Sequence, residues 1–145
     1  MPYVQQSDLT ADIPPEFITQ ALDDNNDGVA DAGLWDLIAQ DVSDAIDMQI
    51  GVRYAVPLQP DGNGNYPTTV VSAARILAAE KLYARRPAAD MRNPWTARAN
   101  QIRAMLDKIG AGSLPLDPSQ QRQDPSASVV SSRLQTVPRG GRLAL

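Results

Sequence analysis

The sequence predicts an all-α protein: a small helical bundle with a short N-terminal helical segment and an extended C-terminal arm. Aromatic residues make up only 5% of the chain while alanine is abundant, a balance that suits closely packed helices better than a sandwich or barrel. Several long stretches also place apolar residues at intervals of three and four, the helical period. With 145 residues and an apolar fraction of 43%, the chain can fill one modest core. The expected organisation is a bundle domain over residues 1–112 and an arm over residues 113–145.

Ser7 is placed to cap a first short helix, "DLTADI", which stops at Pro14 and Pro15. A second, "PPEFITQALDD", restarts with Pro15 in its first turn, where a missing N–H costs nothing. After a polar loop over residues 23–33 comes "LWDLIAQDVSDAIDMQIGVRY". Here Leu34, Leu37, Ile38, Val42, Ala45, Ile46 and Ile50 form an apolar stripe, and Asp36, Asp41, Asp44 and Asp47 form an acidic outer face. Asp31 is positioned to cap this helix, and Gly51 to loosen or end it.

The turn-rich connection "PLQPDGNGNYP" cannot continue a helix. Pro67 and Thr68 then open "TTVVSAARILAAEKLYARR", whose apolar residues wrap most of its circumference, as expected of a helix at the centre of a bundle. Lys81, Arg85 and Arg86 lie near its C-terminus, where positive charge suits the helix dipole. Asn93 and Pro94 make a cap and first-turn pair for a last helix, whose seam of Trp95, Ala99, Ile102, Leu106 and Ile109 ends at Gly110 and Gly112.

From Ser113 the composition turns to Ser, Gln, Pro and Gly without a helical stripe, so the arm is expected to be extended. Its β-like run and apolar terminus supply the candidate partner-binding residues Val129, Val130, Arg133, Leu134, Val137, Arg139, Arg142, Leu143 and Leu145, which can order on a partner by adding a strand to a sheet edge. The formal net charge of −4 is unevenly spread: residues 117–145 hold four arginines against two aspartates, leaving −6 for the rest. Four scattered arginines without interleaved aromatics make a poor nucleic-acid signal.

The chain has no cysteine and no histidine, which excludes disulfides, thiolate or imidazole metal sites, and nucleophiles activated by histidine. An enzyme would have to work with carboxylates alone, and no enzyme is expected. No segment approaches the roughly 18 apolar residues of a membrane span, and the N-terminus lacks the pattern of a signal peptide, so a soluble protein with no membrane association is expected.

The richest local motif is "DDNNDGVAD". Asp23, Asn25, Asp27, the carbonyl of Val29 and Asp31 fall at positions one, three, five, seven and nine of a candidate calcium loop, with Gly28 at six. Position twelve departs from the pattern, because Leu34 stands where a bidentate glutamate belongs. A calcium sensor is therefore not expected, although Ca2+ remains a candidate ligand and no cofactor is required. Asp, Asn and Gly also turn a chain without metal, so the loop equally fits a corner between helices. "DGNGN" lacks the lysine and the strand-to-helix setting of a phosphate loop. Trp35 and Trp95 fit core or interface anchors, and Arg53, Arg75, Arg85 and Arg86 fit ion pairs with the acidic body or contacts to a neighbouring subunit.

The order of the Asp/Asn/Gly loop, the run Asp44, Ala45, Ile46 and Asp47, and the ending Arg53, Tyr54, Pro57 and Leu58 resembles the Mu-like phage head-tail connector family. "VVSAARILAAEKLYARR", with Leu82 and Tyr83 in register, is similar to that family's central helix, and the resemblance spans residues 5–110. The connection "QPDGNGNYPT" and the long arm depart from the family pattern. The resemblance implies a non-catalytic adaptor forming a homo-oligomeric ring, a dodecamer, between the portal protein and the next neck or tail-completion protein. It also implies that DNA passes through the ring without sequence-specific binding, that the protein sits in the virion neck at the head-tail interface, and that it assembles in the host cytoplasm. The alternative is a calcium-dependent protein-binding module using the Asp-rich loop.

Overall fold

In the computed structural model, residues 1–86 and 92–116 are described, and among them lie four α-helices, one short 3₁₀ helix and no strand. The 3₁₀ helix is Gln6–Leu9, and the α-helices are α1 (Pro15–Ala21), α2 (Leu34–Ile50), α3 (Thr68–Arg85) and α4 (Thr96–Ala111). The all-α expectation therefore holds for these residues. The arm from residue 117 onward, with all nine of its candidate partner-binding residues, lies outside them.

Helices α2, α3 and α4 pack against one another, and α3 also touches α1 and the 3₁₀ helix, so the alanine-rich helix is the centre of the bundle as expected. Val70, Ala73, Ala74, Leu77, Ala78, Ala79 and Leu82 of α3 are all buried, on more than one side of the helix. Small side chains let four neighbouring elements approach this one helix closely.

The apolar stripe of α2 needs a correction. Ile38, Ala39, Val42, Ser43, Ile46 and Ile50 face the core, whereas Leu37 and Ala45 point outward. Both readings obey the helical period, and the winning face is the one that also buries Ala39 and Ser43, whose hydroxyl accepts the Tyr3 N–H. Asp47, counted on the outer face from sequence, is half-buried.

The seam of α4 appears as expected, with Trp95, Ala99, Leu106 and Ile109 buried and Ile102 partly so. Asn93 lies two residues before the cap position, Trp95: its side-chain oxygen accepts the Trp95 N–H at 3.0 Å, and its amide donates to the Glu80 carbonyl at 2.9 Å. Gly110 does not end the helix. It lies where α4 presses on α2, and a methyl group there would run into the Gln49 carbonyl. The stop is Gly112, left-handed at φ 85°, with Ser113 N–H bonded back to the Lys108 carbonyl at 2.9 Å.

The N-terminus is tied down. Gln5, not Ser7, is the cap of the 3₁₀ helix, with the Asp8 carboxylate reaching back to accept the Gln5 N–H at 2.8 Å, and the helix ends at Leu9, short of the expected stop at Pro14. Tyr3 and Val4 are buried, and Tyr3 N–H donates to the Ser43 hydroxyl on α2 at 2.9 Å.

Candidate functional site: the Asp-rich loop and the charged helix faces

The loop between α1 and α2 closes on its own amides. The Asp23 carboxylate accepts the N–H groups of Asp27 at 3.2 Å and Gly28 at 2.8 Å. Asn25 accepts the Asp27 N–H at 2.9 Å, and Asp27 accepts the Val29 N–H at 2.8 Å. Asp31 accepts both the Asp24 N–H at 2.8 Å and the Asn25 side-chain amide at 3.0 Å. Asn26 at φ 66° and Gly28 at φ 86° supply the left-handed turns this winding needs.

Asp31 therefore does not cap α2, because both of its oxygens are engaged by the loop behind it. The cap position is Gly33 at φ 84°, with no side-chain hydrogen bond. Asp23, Asn25, Asp27, Val29 and Asp31 do share one loop, as their spacing predicts. Among the described residues, no three acidic side chains gather into a metal-binding group.

The loop is also fastened to the bundle. Asp31 N–H donates to the Leu22 carbonyl at 2.8 Å, and the Arg85 guanidinium at the end of α3 donates to Asp24 at 2.6 Å and to the Ala21 carbonyl at 3.0 Å. One cation thus ties the α1 terminus, the loop and the central helix together.

A second polar hub was not legible in the sequence. The buried Tyr3 hydroxyl donates to the Asp47 carboxylate and accepts the Leu58 N–H at 2.8 Å. Burial, reinforced by the Asp47 contact, pushes the Tyr3 phenol well above its ordinary range. Burial also raises the Asp47 carboxyl, with the Tyr3 hydrogen bond opposing and neighbouring Asp44 adding to the rise. The only sequence signal was an isolated apolar pair, Tyr3 and Val4, ahead of the first helix.

A groove of about 650 Å³ runs between this N-terminal segment and the connection before α3, bordered by Tyr3, Gln5, Asn65, Tyr66 and Thr68. Its two carboxylates are already engaged: Asp8 with the Gln5 N–H, and Asp61 with the N–H groups of Asn63 and Asn65. Of the four arginines expected in ion pairs, Arg75 meets Asp12 at 3.0 Å and Arg85 meets Asp24. Arg53 instead lies over Gly112, and Arg86 is exposed. Trp95 is a core anchor, 6.3 Å from the Tyr83 ring, which itself stacks on Phe17 at 4.3 Å. Trp35 is only partly buried against the core.

The exposed charges fall on different helices. Asp36, Asp41 and Asp44 project from α2, while Arg98, Arg103 and Lys108 project from α4. Among the described residues no helix is long and apolar enough to cross a membrane.

These features define a small all-helical bundle that presents charged faces and a self-closed acidic loop. A protein-family model described as "Bacteriophage Mu, Gp36" matches residues 3–133, most of the chain, and the protein belongs to that family. It is therefore a Mu-like phage protein, and the match runs past residue 112 into the arm. No curated protein sequence matches the chain.

Proposed function

We propose that this protein is a non-catalytic structural component of the virion: a head-tail connector whose copies form a ring between the portal protein and the next neck or tail-completion protein. The observation that carries the reading is the family match over residues 3–133, which supports a phage structural or head-related protein. The finer role rests on the resemblance of the loop, the "RY" segment and the central helix to head-tail connectors. The acidic outer face of α2 and the net positive outer side of α4 suit side-by-side assembly.

In this reading the Asp-rich loop is a corner between α1 and α2, and no cation is required. Its side-chain oxygens already satisfy loop amides, which supports a structural role. The arm, through Val129–Val137 and Leu143–Leu145, docks on the portal or the next neck protein.

Electron microscopy of the purified protein mixed with the portal protein of its phage tests the proposal. A ring stacked on the portal is expected. Labelled protein found in the capsid shell or only outside the particle would remove the connector role. A chain ending at Leu116 tests the arm: helical circular dichroism is retained and portal binding weakens, whereas undiminished binding would exclude the arm as the docking element.

A further inference from the structure

The outward face of α2 holds large apolar side chains in water. Leu37 is 65% exposed and Met48 79% exposed, and Val52, just past the helix end, continues the row at 79%. At 3.6 residues per turn these three share one stripe with Asp41 and Asp44. The helix carries four aspartates and no basic residue; Lys81 of α3 reaches Asp41 at 3.2 Å, and Asp36 and Asp44 keep the surroundings of the apolar row acidic. Asp36, beside it, has no partner among the described residues, and Asp44 meets only the Gln40 amide.

Helix α4 supplies the complement. Ala97, Ala104 and Ala111 recur every seven residues on its exposed side, leaving the backbone open to a neighbour's side chains. Arg98 and Lys108 stand beside them with no carboxylate partner among the described residues; Arg98 rests only on the Trp95 ring, 5.3 Å from its centre. Asp107 is the one carboxylate on α4, and against it Arg98 and Lys108 leave the exposed side net positive. Two copies meeting α2 to α2 would oppose like charges, whereas opposite signs face each other when the α2 face meets the α4 face.

We propose that the α2 face of one copy docks on the α4 face of the next, seating Leu37 and Met48 along the alanine row and placing Asp36 and Asp44 opposite Arg98 and Lys108. The inference rests on the ring reading above and names the surfaces that build the ring. Because the two patches differ, the contact is heterologous and propagates head to tail, which is the geometry that closes a ring. The occupant of the α2 face is thus a second copy of this chain.

The natural chain has no cysteine, so engineered thiols report on single positions. Full-length Met48→Cys and Ala104→Cys, both at exposed sites, are mixed with a short bismaleimide. The mixture should cross-link into a mixed dimer, neither variant should cross-link alone, and a chain carrying both thiols should give a ladder. Met48→Cys cross-linking to itself would overturn the proposal in favour of a symmetric contact, as would a mixture that fails to cross-link.

A charge exchange provides the second arm. The pair Asp36→Lys and Asp44→Lys, and separately the pair Arg98→Glu and Lys108→Glu, should each weaken self-association at least tenfold by sedimentation, and an equimolar mixture of the two should restore it. No restoration would overturn the pairing. Cross-linking that appears only when residues 129–145 are deleted would overturn the pairing and assign the α2 face to the arm instead. Rings seen by electron microscopy whose copies fail the cross-link would sink these faces but leave the ring standing; a chain that stays monomeric even with the portal would sink both.

Discussion

The Tyr3 hydroxyl joins two distant parts of the chain: it donates to Asp47 on α2 and accepts the N–H of Leu58 in the following connection. The N-terminal segment is thereby fixed across α2 by a buried side chain. Tyr3→Phe keeps the ring but leaves the Leu58 N–H and a half-buried carboxylate without their partner. It should cost about 1–3 kcal/mol in urea unfolding. A change within error would show that the N-terminus is held by apolar contact alone.

Asp47 gives the fold a pH dependence of definite sign. Burial raises its folded pKa, so the protonated form is favoured in the native state. Its contribution is fully present below the unfolded value of about 3.9 and is lost as pH rises through the folded value. Asp47→Asn keeps an acceptor for Tyr3 and carries no charge. The difference in Tm between variant and parent should therefore move in the variant's favour between about pH 3 and pH 7. Equal differences at both ends would contradict the assignment.

Gly110 and Gly112 should behave differently although they look alike in sequence. Gly110→Ala drives a methyl group into the Gln49 backbone, and the clash should destabilise by about 1–3 kcal/mol as α2 and α4 separate. At Gly112 the obstacle is the flexible Arg53 side chain, and the cost comes mainly from the left-handed backbone, about 1–2 kcal/mol for a residue bearing Cβ. Adding Arg53→Ala should leave the Gly112→Ala penalty largely unchanged, and chemical denaturation midpoints check both.

The loop is expected to hold its shape without metal. Calorimetry with Ca2+ should show weak or no binding, and chelator should leave Tm unchanged, since a ligand raises Tm only when it binds the folded state at the concentration present. Asp31→Ala removes the acceptor for the Asp24 N–H and the Asn25 amide, and should lower Tm equally with chelator and with Ca2+. Tight binding with a large rise in Tm would return the loop to the calcium-binding reading.

Arg85 ties three elements with one guanidinium, and Arg85→Lys tests whether its geometry matters. A lysine ammonium lacks the planar fork that reaches Asp24 and the Ala21 carbonyl together. Faster amide exchange confined to residues 21–33 is expected, with α2 to α4 protected as before. Uniform exchange across the bundle would instead make the contact part of the global fold.

The sequence by itself determined the four α-helices of the described residues, their order, the central place of α3 and the inward seam of α4, because apolar period, proline and glycine act within a few residues of the backbone they control. The five candidate loop ligands lie in one loop because they are near neighbours in the chain, yet among the described residues no three acidic side chains gather into a metal-binding group. Only the tertiary structure decided which side of α2 is buried: Leu37 and Ala39 both fit a helical stripe, and the choice belongs to the helices packed against it. The same holds for Asp31, which looked like a cap but turns back into the loop, and for Gly110, which looked like a stop but is a contact. Tyr3 and Asp47 lie 44 residues apart, and no periodicity links positions whose only relation is that the finished bundle brings them together.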